Sequence, residues 1–242
     1  MSPKRSKGDI ETGGEGHLYP MMLESPPMRW AFIRKVYAIL SMQLLLTVVV
    51  AAIVVVVDPI SDFMVHNRAG LGLYLFIVVL SLILMCALAA FHKRHPVNLI
   101  LLGMFTLTMA FTMGLSCAFV KGKIILEAAI LTSVVTIGLT LYTFWAAKRG
   151  HDFSFLGPFL FASLLVLLVF SMIQMFFPMG KLSTMIFGCL GAIIFSGFII
   201  YDTDNMIKRY EYDDFIWAAV SLYLDILNLF IALINILTAS DS

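Results

Sequence analysis

Seven apolar runs of about 20 residues follow one another along this chain, and each is long enough to cross ~30 Å of hydrocarbon. They fall at roughly 33–57, 73–92, 97–119, 124–147, 155–177, 183–203 and 214–237. The breaks between them carry charge or helix-breaking residues: Asp58-Pro59, His92 to Pro96, Lys121-Gly122-Lys123, Lys148-Arg149-Gly150 and Pro178 to Lys181. Inside a bilayer only helices and closed barrels satisfy the backbone, so runs of this length predict an all-α membrane protein with seven transmembrane helices. Composition agrees, with 61% hydrophobic and 13% charged residues. A net charge of +1 predicts no nucleic-acid partner.

Residues 1–30 differ from the rest. Lys4, Arg5, Lys7, Asp9, Glu11 and Glu15 are interspersed with glycine and proline, and so little apolar surface predicts a disordered tail ahead of a transmembrane domain at 31–242. The tail has no apolar core of the kind a cleavable signal peptide needs, so the first span is the expected targeting signal.

Lysine and arginine set the orientation. With the tail in the cytosol, the segments on that side hold Lys4, Arg5, Lys7, Arg29, Arg34, Lys35, Lys93, Arg94, Lys148, Arg149, Lys208 and Arg209, against Arg68, Lys121, Lys123 and Lys181 on the other. Positive charge concentrates on the cytosolic side of membrane proteins, so the N-terminus is expected in the cytosol and the end at Ser242 across the membrane.

Catalysis has no visible machinery. Cys86, Cys117 and Cys189 lie within predicted spans without metal spacing and read as inert buried thiols. No HExxH, phosphate-binding loop, nucleophile elbow or dinucleotide glycine pattern occurs, so the chain is not expected to be an enzyme or to carry a cofactor.

Two aspartates stand where lipid-facing chemistry forbids them, Asp202 near the end of the sixth span and Asp225 about 11 residues into the seventh. An ionisable residue inside the membrane faces protein or water and marks a functional site by default. With the hairpin turning near Asp213 and Asp214, each aspartate lies 12 residues from the turn. The two carboxyls are therefore expected at similar height, ~18 Å from it at 1.5 Å per residue, titrating as a coupled unit. Ser221, Asp225, Asn228 and Asn235 form one polar stripe on the last helix, while Gly188 and Gly191 on the helix before it let a neighbouring backbone approach closely. Asp204 and Asp213 read as solvated neighbours. Thr132, Thr136, Thr140 and Thr143 share one face of the fourth span; they read as interhelical or backbone-bonded hydroxyls, with Thr132 and Thr136 also candidates for lining an ion path. His92, Lys93 and Arg94 close the second span on the side of the hairpin turn and offer cations to the pair.

The stretches IIYDTDNMI and SLYLDILNLF, the seven spans, the HKRHPVNLILLGMFTLTMAF passage and the charged tail together resemble the Bax inhibitor motif superfamily, and within it the LIFEGUARD branch of plants. That resemblance implies six helices surrounding a central C-terminal helix, residence in endomembranes, suppression of programmed cell death and a pH-sensitive calcium leak. It carries the role of pH sensor and transient calcium site onto Asp202 and Asp225. It also implies a cationic latch from the second helix, for which His92 and Arg94 are the candidates; the direct register puts His92 there instead of an arginine.

Residues and resemblance together predict that the deprotonated pair attracts calcium as a permeant ion, while the protonation state of the pair sets whether the central helix seals the path. Ser221 and Asn228 are candidates to line that path. The expected partners are the bilayer, calcium and other membrane proteins of cell-death regulation. The expected compartment is an endomembrane, the endoplasmic reticulum first, with Golgi, vacuole and plasma membrane as alternatives. Two rival classes stand beside this reading: a non-conducting scaffold that binds another membrane protein through the polar stripe, and a proton-coupled ion transporter.

Overall fold

The computed structural model describes residues 25–177 and 180–241. Residues 1–24 of the tail expected at 1–30, the Pro178 part of one break and the terminal Ser242 lie outside the described residues. Among the described residues eight α-helices run in order: α1 Pro26–Val56, α2 Asp58–His66, α3 Arg68–Phe91, α4 Val97–Ala118, α5 Gly122–Lys148, α6 Leu156–Phe176, α7 Gly180–Lys208 and α8 Phe215–Asp241, with a 3-10 turn at Tyr212–Asp214 before α8. Seven of them, all but α2, are long and apolar enough to cross a membrane. The protein is an all-α, multi-pass membrane protein.

Among the boundaries that differ from the sequence expectation, three bear on the fold and the site. The first helix begins at Pro26, within the stretch assigned to the tail, and it has proline in its first turn, where the missing N–H costs nothing. Asp58-Pro59 does not only break a span: it also opens the short helix α2, again with proline at the start. The sixth span runs on to Lys208, five residues past its expected end, which brings Asp204 and Lys208 into the helix.

The C-terminal helix is the centre of the bundle. Half of its span is buried, against 11 to 39% for the other six spans, and α8 packs against α7, α1, α5 and α4. Around that centre α3 packs on α4, and α6 on α7. The α7–α8 contact is close, because a Cβ placed on Gly188 would stand 2.8 Å from the carbonyl oxygen of Ala232, and one on Gly191 would stand 3.3 Å from the Ala232 methyl. Glycine there allows one backbone to lie directly on the other.

The outward faces of α1, α5 and α6 carry exposed Val49, Ile53, Ile130, Val134, Phe159 and Val166. In water that surface would aggregate; in a bilayer it is the natural boundary with lipid. The best-packed part of the core lies towards the end where α7 turns into α8, with Phe32, Val36, Leu88, Ile199, Met206, Ile207, Phe215 and Ile216 all at most 2% exposed. A second contact set on α1 is polar: Gln43 Nε2 donates to Thr106 Oγ1 of α4 at 3.1 Å, and Thr47 Oγ1 meets the Tyr223 hydroxyl of α8 at 2.7 Å. These bonds join three helices through buried side chains, where a low dielectric strengthens them.

Candidate functional site

The buried acidic centre lies between α7 and α8. Asp202 is 9% exposed and Asp225 6% exposed, and their carboxyls lie against one another, with Asn205 beside Asp202. Asp225 Oδ2 has no hydrogen-bond partner. Two ionised carboxylates in contact repel one another, so this arrangement is suited to holding a proton or a cation between them. Of the stripe on α8, Ser221 is half-buried, Asp225 is buried, and Asn228 is exposed with its amide donating back to the Leu224 carbonyl at 2.8 Å.

Tyr210, in the connection between the two helices, roofs the pair. Burial, and then the nearby Asp202 carboxylate, push its hydroxyl up from the ordinary phenol value, and the hydroxyl lies against Ser221. It therefore stays protonated and remains a donor at every physiological pH.

The structure joins His92 to the turn. His92 Nε2 is 3.3 Å from Asp214 Oδ1, and Lys93 Nζ lies 2.8 Å from Glu211 and 3.2 Å from Asp214. These two acids also cap each other, because each side chain accepts from the other's backbone N–H. Lys93 is held above its ordinary value first by its bond to Glu211 and then by Asp214. The Arg94 guanidinium stands 5.4 Å over the ring of Phe91. Neither His92 nor Arg94 forms an ion pair with Asp202 or Asp225 among the described residues.

Three buried charges that bear on the site, Arg29, Asp204 and Lys208, were not assigned from sequence. Arg29 counted only as an orientation charge, yet it is fully buried, and its Nη1 donates to the carbonyls of Met206 at 3.1 Å and Tyr210 at 2.6 Å. Its signal was present: Arg29, Phe32, Ile33 and Val36 share the inward face of α1. Asp204, expected in solvent, is fully buried instead. It pairs with Lys208 at 2.5 Å one helical turn on and accepts from the backbone N–H of Phe153 at 3.2 Å.

Lys208 also donates to the His151 carbonyl, while Arg209 bonds Asp152 at 2.7 Å and Asn205 at 2.8 Å. Partial burial works to raise Asp152, but the Ser154 hydroxyl and amide and the Arg209 guanidinium outweigh it and hold the carboxyl at about 2. Together these bonds pin the connection from α5 to α6 onto the end of α7.

Thr132 and Thr136 lie elsewhere, in the wall of a cavity among α1, α4, α5 and α8 in the half of the bundle away from the turn. Thr132 Oγ1 donates to the Ala128 carbonyl at 2.7 Å, and Thr136 Oγ1 is buried without a hydrogen-bond partner.

Fold and site define a class: a seven-span membrane protein built around a central C-terminal helix and a buried acidic pair. The chain belongs to the Bax inhibitor family, since the family model described as "Inhibitor of apoptosis-promoting Bax1" matches residues 29–242. It is 61% identical to Protein LIFEGUARD 4 of Arabidopsis thaliana over 97% of this chain and 96% of that one, and 61% identical to Protein LIFEGUARD 2 of the same plant over 98% of each. It is also 35% identical to the Golgi anti-apoptotic protein of vaccinia virus, strain Lister, over 88% of this chain and 87% of that one.

Proposed function

We propose that this protein restrains programmed cell death from an endomembrane by leaking calcium out of the enclosed store, with Asp202 and Asp225 as the pH-sensing, ion-attracting gate. The family description and the relatives' names support the anti-apoptotic part and point to a regulator or channel and not an enzyme. The contact between two buried carboxyls on adjacent helices carries the rest. Calcium is a hard cation that seeks carboxylate oxygens, usually about six to eight ligands in a lasting site. Two carboxyls with no third acidic, histidine or cysteine ligand among the described residues suit an ion in passage better than one in residence.

In this reading calcium is the cargo, and the pair holds either the cation or a proton. The central helix then shifts with the occupant. The latch role falls to His92 and not to Arg94, and it acts through the turn, because His92 and Lys93 hold Asp214. Ser221 and Asn228 continue the polar stripe on either side of Asp225, which supports their lining the path. The excess of lysine and arginine on the turn side supports a cytosolic N-terminus.

The deciding experiment is calcium efflux from vesicles loaded with calcium and containing only this protein. Efflux that depends on pH and is lost in Asp225→Asn supports the reading. Absence of flux favours a scaffold, and flux only under an imposed proton gradient favours a transporter.

A further inference from the structure

We propose that the cavity among α1, α4, α5 and α8 is a binding site for one acyl chain of a membrane phospholipid, which enters between α1 and α5 and lies along the central helix. The cavity measures about 590 Å³, within the ~300–1,000 Å³ of ordinary ligand sites. Val48 and Ala52 of α1 and Ala129 and Ile137 of α5 form its sides, and Ile226 and Phe230 of α8 lie along it.

Its polar groups are nearly all spent. Thr47 is bonded to Tyr223 and to the Gln43 carbonyl, Thr132 to Ala128 and Ser133 to Ala129, which leaves Thr136 as the wall's hydroxyl without a partner. A buried water needs about two to four polar partners, and a hydrated cation needs more, so this wall favours hydrocarbon.

Place and length agree with a lipid tail. Val49 and Ile53 on α1 and Ile130 and Val134 on α5 are exposed beside the cavity, so its mouth opens onto the surface that faces the bilayer core. Along α5 the lining runs from Ile125 to Ile137, which is ~18 Å at 1.5 Å per residue and close to one leaflet's ~15 Å of hydrocarbon. At the outer end of that run Lys123 is exposed and only loosely paired with Glu127 at 3.7 Å, a setting that suits a phosphate headgroup. A tail seated there touches Ile226 and Leu227, the two residues that follow Asp225. The site itself stands independently of the calcium reading.

The test is photolabelling of the full-length protein in phosphatidylcholine vesicles that contain a phosphatidylcholine with a diazirine midway along one tail, followed by peptide mapping. Adducts are expected on Ile226, Leu227 and Phe230, the α8 residues that line the cavity, as well as on the outer face of α5. Ala129→Phe and Ala52→Phe, both at the exposed mouth, should each cut the α8 adducts by about tenfold, the factor for ~1.4 kcal/mol of lost binding. Adducts at Val134 and Leu141 should not change. Absence of α8 adducts in the unaltered protein overturns the proposal, as do α8 adducts that survive in whichever plugged variant folds. Because no calcium is measured, failure here leaves the efflux result untouched, and failure there leaves this one.

Discussion

Arg29 at the start of α1 donates to the carbonyl oxygen of Tyr210, 181 residues later in the chain, across 2.6 Å. The same guanidinium nitrogen reaches the Met206 carbonyl in the last turn of α7, where unpaired carbonyls give the helix its negative end. A buried cation is costly unless it is paired, and here the end of a helix supplies the compensation. The first helix is thereby tied to the hairpin that carries the acidic pair.

Removing that tie should be expensive. Arg29→Ala strips the Met206 and Tyr210 carbonyls of a charged donor and leaves a void, so a loss of about 3 kcal/mol is expected. Arg29→Lys should recover part of it. Thermal unfolding in detergent, followed by tryptophan fluorescence, measures both; an Arg29→Ala protein as stable as its parent would contradict the contact.

Asp204→Asn should destabilise the protein strongly. It leaves the Lys208 ammonium, 1% exposed, with only the more distant Asp152 carboxylate at 4.0 Å and the His151 carbonyl, and breaking a buried pair from one side costs about 3–5 kcal/mol. Asp204→Asn combined with Lys208→Met removes both charges and should restore much of the loss. A double variant worse than the single would show that the two residues do not act as a pair.

Asp225→Asn and Asp202→Asn should each abolish pH-dependent calcium efflux while the protein stays folded, since the amide keeps the size of the carboxyl and is easier to bury than a charge. The double variant should be no worse than the more impaired single one, because residues that share one function are not additive. Efflux assays on the three variants, with melting curves as the folding check, decide it. Additive loss would mean that the carboxyls work separately.

Asp152 makes a separate, acid-range prediction. Its native value of about 2 lies below the ~3.9 of an unfolded aspartate. A depressed carboxyl contributes stability that is complete above the unfolded value and disappears as pH falls through the native one. The clamp on the α5–α6 connection should therefore be constant from pH ~4 upward and weaken only between ~4 and about 2. Asp152→Asn should flatten the loss of stability in that window and leave the pH midpoint of efflux where it was. A shifted midpoint would place the clamp inside the gate.

The spans and the acidic pair were legible because both rest on local pattern: 20 apolar residues need no partner to be recognised, and a lone carboxylate among leucines is conspicuous. Asp204 was not legible. Asp202, Thr203, Asp204 and Asn205 read as a polar helix end, and what buries Asp204 is Phe153, 51 residues earlier in the chain, together with a lysine counted only as an orientation charge. His92 likewise acquires its meaning from Asp214, far along the chain on the other side of four spans. The α2 helix was missed for another reason: Asp-Pro signals the end of one helix and, equally well, the first turn of the next. Arg29 could have been found, since its spacing to Phe32 and Val36 put it on the inward face.

Among the described residues the buried charged contacts lie at one end. Arg29, Asp204 and Lys208 fasten that end of the bundle, whereas beyond Asp225 the central helix meets hydroxyl, glycine and hydrocarbon surfaces and one side of a cavity. Mechanically this is a cantilever. A small rotation at the fastened root is carried along the ~40 Å of α8 and is largest at the far tip, which the exposed Lys121–Asp241 ion pair at 2.5 Å ties to the start of α5; among the described residues no buried ion pair keeps the surrounding helices from parting there.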